Sequence, residues 1–215
     1  MELSFFAIAR YKKDFPGTEY LEIRPDWREV LPGKVGASGL FFRSILADAR
    51  SVLDVGAGDR YYKQVLSKLG IAATYRSADS DNQSGAHDFG DFFQVSEAFD
   101  AILMLELLEH VDANLGIGFL KHARNVLNPG GVLLLSTPNA HHPNQVWRSS
   151  LTHIRPWPMD DLYGVLKYAG FNRVRLVRQY TASSKRMVIK PFTKLLYRLI
   201  ELDHAQTILA AAWRD

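Results

Sequence analysis

The stretch Val52-Leu53-Asp54-Val55-Gly56-Ala57-Gly58-Asp59 decides the fold. Its apolar half predicts a short buried strand, and its glycines predict a tight turn into the following helix. Gly56 and Gly58 allow the backbone to approach a ligand closely, because neither residue carries a Cβ atom. Ligands of open α/β sheets bind outside the carboxyl ends of the strands, so this turn is a candidate binding element. A purely structural turn is the alternative interpretation of the two glycines taken alone.

The turn differs from two familiar phosphate-binding loops. The third glycine of the dinucleotide fingerprint G-x-G-x-x-G would fall at Tyr61, a bulky residue. A P-loop is also excluded, since no Gly-Lys-Ser/Thr follows the turn. Asp54 precedes the first glycine by two residues, and Asp79 ends the next predicted strand. Asp79 is therefore placed to accept hydrogen bonds from both hydroxyls of a ribose.

Outward from this turn, short apolar strands alternate with helical stretches, which predicts βαβ units and a mostly parallel sheet. The predicted strands are 51–55, 72–78, 98–104, 131–137, 171–180 and 207–213, with a short one near 86–89. The predicted helices are 39–49, 60–69, 113–127, 158–169 and an amphipathic one at 187–203. We divide the chain into an N-terminal appendage or lid, 1–50, and one domain, 51–215, into which the last helix is inserted.

Composition narrows the class of protein. The chain has 215 residues, 47% of them hydrophobic, and no cysteine. The apolar content suits one domain with a sizeable core, and the missing cysteines exclude disulfides, thiolate metal sites and cysteine nucleophiles. The formal charge is only +3, but residues 165–215 carry ten Lys/Arg against three Asp/Glu. No secretory signal and no apolar run of the ~20 residues that span a bilayer is recognisable, so we expect a cytoplasmic protein.

At this point the sequence resembles the class I S-adenosylmethionine-dependent methyltransferases. The matching features are Asp54-x-Gly56-x-Gly58, the Asp79 strand end, Phe99-Asp100 opening the fourth strand, and Leu127-Asn128-Pro129-Gly130-Gly131 before the fifth. They extend over residues 40–180, about two thirds of the chain. The resemblance implies a Rossmann-like α/β fold, with a mostly parallel seven-stranded sheet that ends in an antiparallel C-terminal hairpin. It also implies S-adenosylmethionine as the cofactor.

The same resemblance implies which residues contact that cofactor. The turn would approach the methionine and the ribose, and Asp79 would take the ribose hydroxyls. Asp88 is the best match to the acidic residue near the adenine amino group, with Asp91 as its rival. Residues 104–107 would line the reactive end, and Asp54 would orient the turn and the cofactor's amino group. The implied contacts are Asp54, Gly56, Ala57, Gly58, Asp79, Ser80, Asp88, Phe89, Met104 and Leu105.

The segment Leu105-Glu106-Leu107-Leu108-Glu109-His110-Val111 carries the candidate chemistry. If the chain turns helically there, Glu106, Glu109 and His110 project from one face at the carboxyl end of the fourth strand. Two carboxylates and an imidazole suit a divalent ion such as Mg, Mn, Fe(II) or Zn. Alternatively, His110 is a general base for a substrate hydroxyl. A third interpretation is that Glu109 and His110 only cap the loop.

The Glu-x-x-Glu-His pattern with a later histidine is similar to two methyltransferase families. These are the ubiquinone-biosynthesis O-methyltransferases and the small-RNA 3′-terminal 2′-O-methyltransferases, in which a histidine after a Thr-Pro-Asn strand end completes a divalent-metal site. Here Thr137-Pro138-Asn139 is followed by His141, His142 and His153. His153 precedes the 158–169 helix as that ligand would, whereas His141 and His142 could equally contact substrate. The implied metal ligands are Glu106, Glu109, His110 and His153, and the candidate catalytic residues are His110, His153 and Glu106.

We therefore hypothesise transfer of a methyl group from S-adenosylmethionine to a hydroxyl of a small-molecule acceptor, with a metal as an optional aid. The basic last quarter (Arg173, Arg175, Arg178, Lys185, Arg186 and Lys190) raises RNA 2′-O-methylation as the runner-up. No RNA-binding module accompanies these residues, so nucleic acid is not the expected partner and a solvated sheet edge is favoured. The 187–203 helix suits a core cover or a dimer contact, with peripheral membrane contact as an alternative. A catalytically silent binding module is the hypothesis from another class.

Overall fold

Seven strands form a single sheet in the computed structural model, which describes residues 5–23, 37–82, 85–181 and 203–215 together with Leu195 and Leu199. They are β1 (Glu19–Ile23), β2 (Ser51–Val55), β3 (Thr74–Ala78), β4 (Phe99–Leu105), β5 (Leu127–Pro138), β6 (Arg173–Thr181) and β7 (Thr207–Trp213). The order across the sheet is β1-β6-β7-β5-β4-β2-β3. Strand β7 runs antiparallel to both neighbours, and the other pairs are parallel. The predicted α/β class with an antiparallel C-terminal hairpin is confirmed.

Helices cover both faces of this sheet. They are α1 (Phe5–Lys12), α2 (Ala37–Leu46), α3 (Tyr61–Lys68), α4 (Ala113–Val126) and α5 (Met159–Tyr168). Helices α2 and α3 contribute to one apolar core, and α1, α4 and α5 contribute to the other. Because both faces are covered, a central strand such as β4 is almost wholly apolar and buried. The helices predicted at 60–69, 113–127 and 158–169 are confirmed to within one residue at each end.

The seven strands are not the seven that the sequence predicts. The stretch near 86–89 forms only an isolated bridge between Ala78 and Phe89, because the chain leaves the sheet again at once. Six strands come from residues 51–215, and the seventh, β1, comes from the N-terminal region. Strand β1 pairs with β6, and α1 packs against α5, so the described part of the N-terminal region is built into the fold.

The last quarter of the chain is described only in part. The helix predicted at 187–203 and three of the basic residues (Lys185, Arg186 and Lys190) lie outside the described residues, apart from Leu195, Leu199 and Asp203. Within the described ranges, no helix is both long and apolar enough to cross a bilayer.

Three basic residues of β6 can be located. The Arg173 guanidinium stacks 4.1 Å from the ring centre of Trp213, and that of Arg175 lies 5.2 Å from the ring centre of Phe41. Arg178 is buried and lies 3.7 Å from Asp203. Strand β1 pairs only with Val177–Thr181 of β6, so Arg178 is buried there, whereas Arg173 stays exposed and Arg175 half-buried. The expectation of a solvated sheet edge is therefore wrong for Arg178 only.

Candidate active site

The glycine turn is fixed against the end of β3. Gly56 and Gly58 adopt left-handed φ angles of 72° and 49°. The Gly56 amide donates a 2.8 Å hydrogen bond to the carbonyl of Ala78, and the Gly58 amide donates one of 2.8 Å to Asp79 Oδ2. A Cβ atom on Gly56 would lie 2.8 Å from Leu107 Cδ1. The left-handed backbone therefore favours glycine at this position, and any larger residue would also have to displace the end of the Leu107 side chain.

A cavity of about 530 Å³ opens beside the turn, at the carboxyl ends of β2, β3 and β4. The predicted contact residues on its wall include Gly56, Asp79 and Ser80. The complete lining is Val55, Gly56, Ala78, Asp79, Ser80, Gly90, Asp91, Phe92, Glu106, Leu107, His110 and Phe119. The cavity therefore lies where open α/β sheets bind their ligands.

Of the two candidate acidic residues near the adenine, the structure places Asp91 on the cavity wall and not Asp88. The Asp88 carboxylate accepts a 2.8 Å hydrogen bond from the Ser77 amide and pairs with Arg76 Nε at 2.9 Å. The ring of Phe89 lies under the same guanidinium, 4.9 Å from its carbon. Asp88 and Phe89 thus hold the segment after β3 in place.

The structure also corrects the expected lining of the reactive end. Of the expected lining, 104–107, only Glu106 and Leu107 reach the cavity wall. Met104 and Leu105 are the last two residues of β4, and their side chains are buried in the two apolar cores. Two aromatic wall residues, Phe92 and Phe119, were missed by sequence reasoning. Their rings meet edge to face at 5.7 Å and offer an apolar surface to a flat ring. The only sequence signal for Phe92 was its position next to Asp91.

Asp54 lies beneath the glycine turn and is 1% exposed. The Tyr75 hydroxyl donates a 2.6 Å hydrogen bond to Asp54 Oδ2. Burial raises the pKa of Asp54 to about 6, and the charges of Asp79 and Asp59 add to the rise, while the bond from Tyr75 opposes it. Asp54 is therefore half-ionised at about pH 6 and mostly ionised at neutral pH, directly beneath the glycine turn.

Replacing Asp54 with asparagine is expected to stabilise the ligand-free protein at pH 8. The pKa of the Asp54 carboxyl is about 6 in the folded protein and 3.8 in the unfolded chain. The stability that the protonated carboxyl contributes is therefore complete below pH 4 and is lost as the pH rises through 6. The shift corresponds to about 3 kcal/mol, and we expect the asparagine variant to recover roughly 1–2 kcal/mol of it. Urea unfolding at pH 5 and pH 8 measures the difference. The exposed Asp48→Asn variant is the control, since Asp48 is not among the charges that raise the pKa of Asp54. An equal gain at both pH values would contradict the prediction.

Glu106 does not share a helical face with Glu109 and His110, and that expectation is wrong. The chain is left-handed at Glu106, with φ 53°, and only Leu108–His110 forms a 3₁₀ turn. The Ser136 hydroxyl donates a 2.7 Å hydrogen bond to Glu106 Oε1, and the Glu106 amide donates one of 3.0 Å to the same hydroxyl oxygen. These bonds turn the Glu106 side chain towards the cavity. Ser136 is a positioning residue that sequence reasoning missed.

The structure brings His153 next to Glu109 and His110. Ligand atoms of these three residues all lie within 4.8 Å of one another, and the two imidazole ring centres are 4.8 Å apart. Nδ1 of His110 lies 3.1 Å from the carbonyl of Thr152, and Nδ1 of His153 lies 2.7 Å from that of Trp147. Since a carbonyl only accepts, each Nδ1 carries the proton and each Nε2 keeps its lone pair. His141 and His142 lie outside this group.

Glu109 is fully buried, and neither of its carboxylate oxygens has a hydrogen-bond partner among the described residues. Burial raises the pKa of Glu109 to about 8, and the neighbouring charge of Glu106 adds to the rise. The Glu109 carbonyl accepts a 2.7 Å hydrogen bond from the amide of Ile154, which fastens the loop that carries His153. A buried carboxyl beside two imidazole lone pairs either holds a proton or faces a cation.

The sheet order and the cavity beside the glycine turn define a class of α/β proteins that bind a nucleoside-containing ligand at the carboxyl edge. Residues 27–176, more than half of the chain, match the family model described as methyltransferase domain. The chain therefore belongs to this methyltransferase family.

Individual relatives support the same assignment. The chain is 30% identical to the ubiquinone biosynthesis O-methyltransferase of Azorhizobium caulinodans, over 46% of this chain and 49% of the relative. It is 34% identical to the protein of the same name from Paramagnetospirillum magneticum, over 41% of each. It thus spans about half or less of the length of these curated relatives.

Among solved structures, a SAM-dependent methyltransferase from Archaeoglobus fulgidus is similar with a TM-score of 0.64 and 16% identity, over 98% of this chain and 100% of that one. An O-methyltransferase family protein from Burkholderia thailandensis is similar with a TM-score of 0.52 and 20% identity, over 80% and 52%. At these identities the similarity shows the fold.

Proposed function

We propose that the protein transfers the methyl group of S-adenosylmethionine to a hydroxyl oxygen of a small-molecule acceptor. The observation that carries this proposal is the pair of imidazoles, His110 and His153, each with a free Nε2 lone pair, at a place where His110 also lines the cofactor cavity. Oxygen as the accepting atom is supported by the names of the two curated relatives, both O-methyltransferases. A base is needed there, because a neutral hydroxyl is a poor nucleophile.

The residues have separate tasks in this proposal. S-adenosylmethionine supplies a methyl group that is carried on a positively charged sulfur. The methyl–oxygen bond forms as the sulfur–methyl bond breaks, and the cofactor leaves as neutral S-adenosylhomocysteine. Asp79 and Asp91 hold the nucleoside, and the carboxylate of Glu106 places negative charge on the same wall. Where no metal ion is bound to these nitrogens, Nε2 of His110 or His153 takes the proton of the acceptor hydroxyl. Alignment of the acceptor with the methyl group supplies much of the remaining rate enhancement.

We also propose that Glu109, His110 and His153 hold a divalent metal ion. The buried carboxylate of Glu109, which lacks a partner, and the two Nε2 atoms are a set of oxygen and nitrogen ligands that suits Mg, Mn, Fe(II) or Zn. Glu106 is not one of the proposed ligands, because it is not among the residues whose ligand atoms lie within 4.8 Å of one another. A divalent ion at this place would act as a Lewis acid and lower the pKa of an acceptor hydroxyl.

Two measurements test the proposals separately. Calorimetry is expected to give sub-millimolar binding of S-adenosylmethionine both with and without EDTA, because the cofactor cavity and the Glu109 cluster use largely different residues. Methyl transfer to hydroxylated acceptors is expected to fall at least about tenfold in EDTA and to recover when a divalent ion is restored. Transfer that is unchanged in EDTA would contradict the metal proposal and leave a histidine base. Absence of cofactor binding would contradict the proposed function itself.

A further inference from the structure

The loop between β5 and α5 carries positive charge only. Residues 139–159 contain no Asp or Glu, but they contain two arginines, Arg148 and Arg155, and three histidines. The loop passes directly over the Glu109 cluster, since the amides of Ile154 and Arg155 both donate to the carbonyl of Glu109, at 2.7 and 3.4 Å. An acceptor that reaches His153 therefore lies close to a loop whose only permanently charged side chains are cations.

Arg155 is held in place by stacking. Its guanidinium carbon lies 5.1 Å from the ring centre of Trp157. Trp157 is itself buried, and its Nε1 donates a 2.7 Å hydrogen bond to the carbonyl of Leu108. The planar guanidinium thus rests on a rigid indole that is attached to the 3₁₀ turn of Glu109 and His110. This arrangement limits how far the cation can swing away from the cluster.

No carboxylate of the described residues pairs with Arg155. Asp160 and Asp161, the next acidic residues along the chain, both pair with Lys12 instead, at 3.1 and 2.6 Å. Arg155 Nε is buried and lacks a hydrogen-bond partner among the described residues. The two terminal nitrogens of this guanidinium are not buried and make no hydrogen bond to a described residue, so they are open to a group that arrives from outside.

We infer that Arg155 binds an anionic group of the acceptor, a carboxylate or a phosphate, next to the hydroxyl that receives the methyl group. This inference rests on the proposed function and names the chemical class of its substrate. A guanidinium binds either anion through two parallel N–H···O bonds, which also fixes the orientation of the acceptor. The stacked geometry requires a planar cation, so lysine is not an adequate replacement.

Two pairs of probes, each differing in one anionic group, test the inference. The carboxylate arm compares 3,4-dihydroxybenzoate with 3,4-dihydroxybenzamide, and the phosphate arm compares adenosine 5′-monophosphate with adenosine. Binding to the full chain saturated with S-adenosylhomocysteine is measured by calorimetry, and methyl transfer is measured with labelled S-adenosylmethionine. We expect the anionic member of one arm to bind about tenfold to a hundredfold more tightly than its neutral partner. That arm identifies the source of the anion.

The preference is expected to disappear in both Arg155→Gln and Arg155→Lys. Arg43→Gln, an exposed arginine on α2, is the matched control and should keep it. Unchanged binding of S-adenosylhomocysteine shows that each variant is folded. Three outcomes would overturn the inference. They are equal binding of the anionic and the neutral probe in both arms, a preference for the anionic probe that survives in the Arg155 variants, and no binding of any probe. Binding of the anionic probe without methyl transfer would instead count against the proposed function.

Discussion

Replacing Asp79 with alanine is expected to weaken the binding of S-adenosylmethionine by about 100-fold to 1000-fold. The carboxylate is fixed on the cavity wall, because Oδ2 accepts from the Gly58 amide at 2.8 Å and Oδ1 accepts from the Asp81 amide at 2.9 Å. Two hydrogen bonds from ribose hydroxyls to a charged acceptor are worth about 1.5–3 kcal/mol each. The alanine variant would lose these bonds and the anchor of the glycine turn together.

Calorimetry on the purified variant measures this loss directly. The exposed Asp81→Asn variant is a matched control, since the contact of Asp81 with Asp79 is made by its backbone amide and not by its carboxylate. Asp79→Asn should be intermediate, because it keeps one oxygen acceptor but loses the charge. Binding of the alanine variant within about threefold of the unmodified protein would show that Asp79 does not hold the ribose.

Local patterns were sufficient to predict the ligand-binding edge of the sheet. Gly56 and Gly58 follow an apolar strand at once, and Asp79 ends the next one, so neighbouring strand ends place them together without any knowledge of the rest of the chain. Asp88 and Asp91 could not be separated in this way. Their segment leaves the sheet after the single Ala78–Phe89 bridge, and the arginine that captures Asp88 lies in β3.

Long-range contacts also explain the error at Glu106. The helical spacing of the sequence is correct for Glu109 and His110, but a hydroxyl thirty residues away, on Ser136, holds Glu106 in a left-handed conformation. Strand β1 was missed for a related reason. Its five residues acquire a partner only when β6, about 150 residues later, forms the edge on which they pair. Contacts of this kind are not encoded in the local period of a sequence.

Replacing His153 with alanine is expected to lower methyl transfer at least about 100-fold while the affinity for S-adenosylmethionine changes less than twofold. His153 provides one of the two free Nε2 atoms but does not line the cofactor cavity. Single-turnover transfer and calorimetry separate the two effects. His87→Ala is the control, since His87 lies outside both the cluster and the cavity wall. Equal losses of binding and transfer would indicate general disruption of the site.

Glu109 determines how the same cluster should respond to pH. Its raised pKa of about 8 means that a divalent ion must displace a proton from the carboxyl at neutral pH. The apparent metal affinity should therefore rise about fivefold from pH 7 to pH 8 and level off above about pH 9, as titration against a competing chelator would measure. Glu109→Gln removes this proton, so its weaker metal affinity should change less between pH 7 and pH 8 than that of the unmodified protein. If the metal affinity of Glu109→Gln still rose with pH as it does in the unmodified protein, the displaced proton would come from another group. Glu109 would then not be a metal ligand.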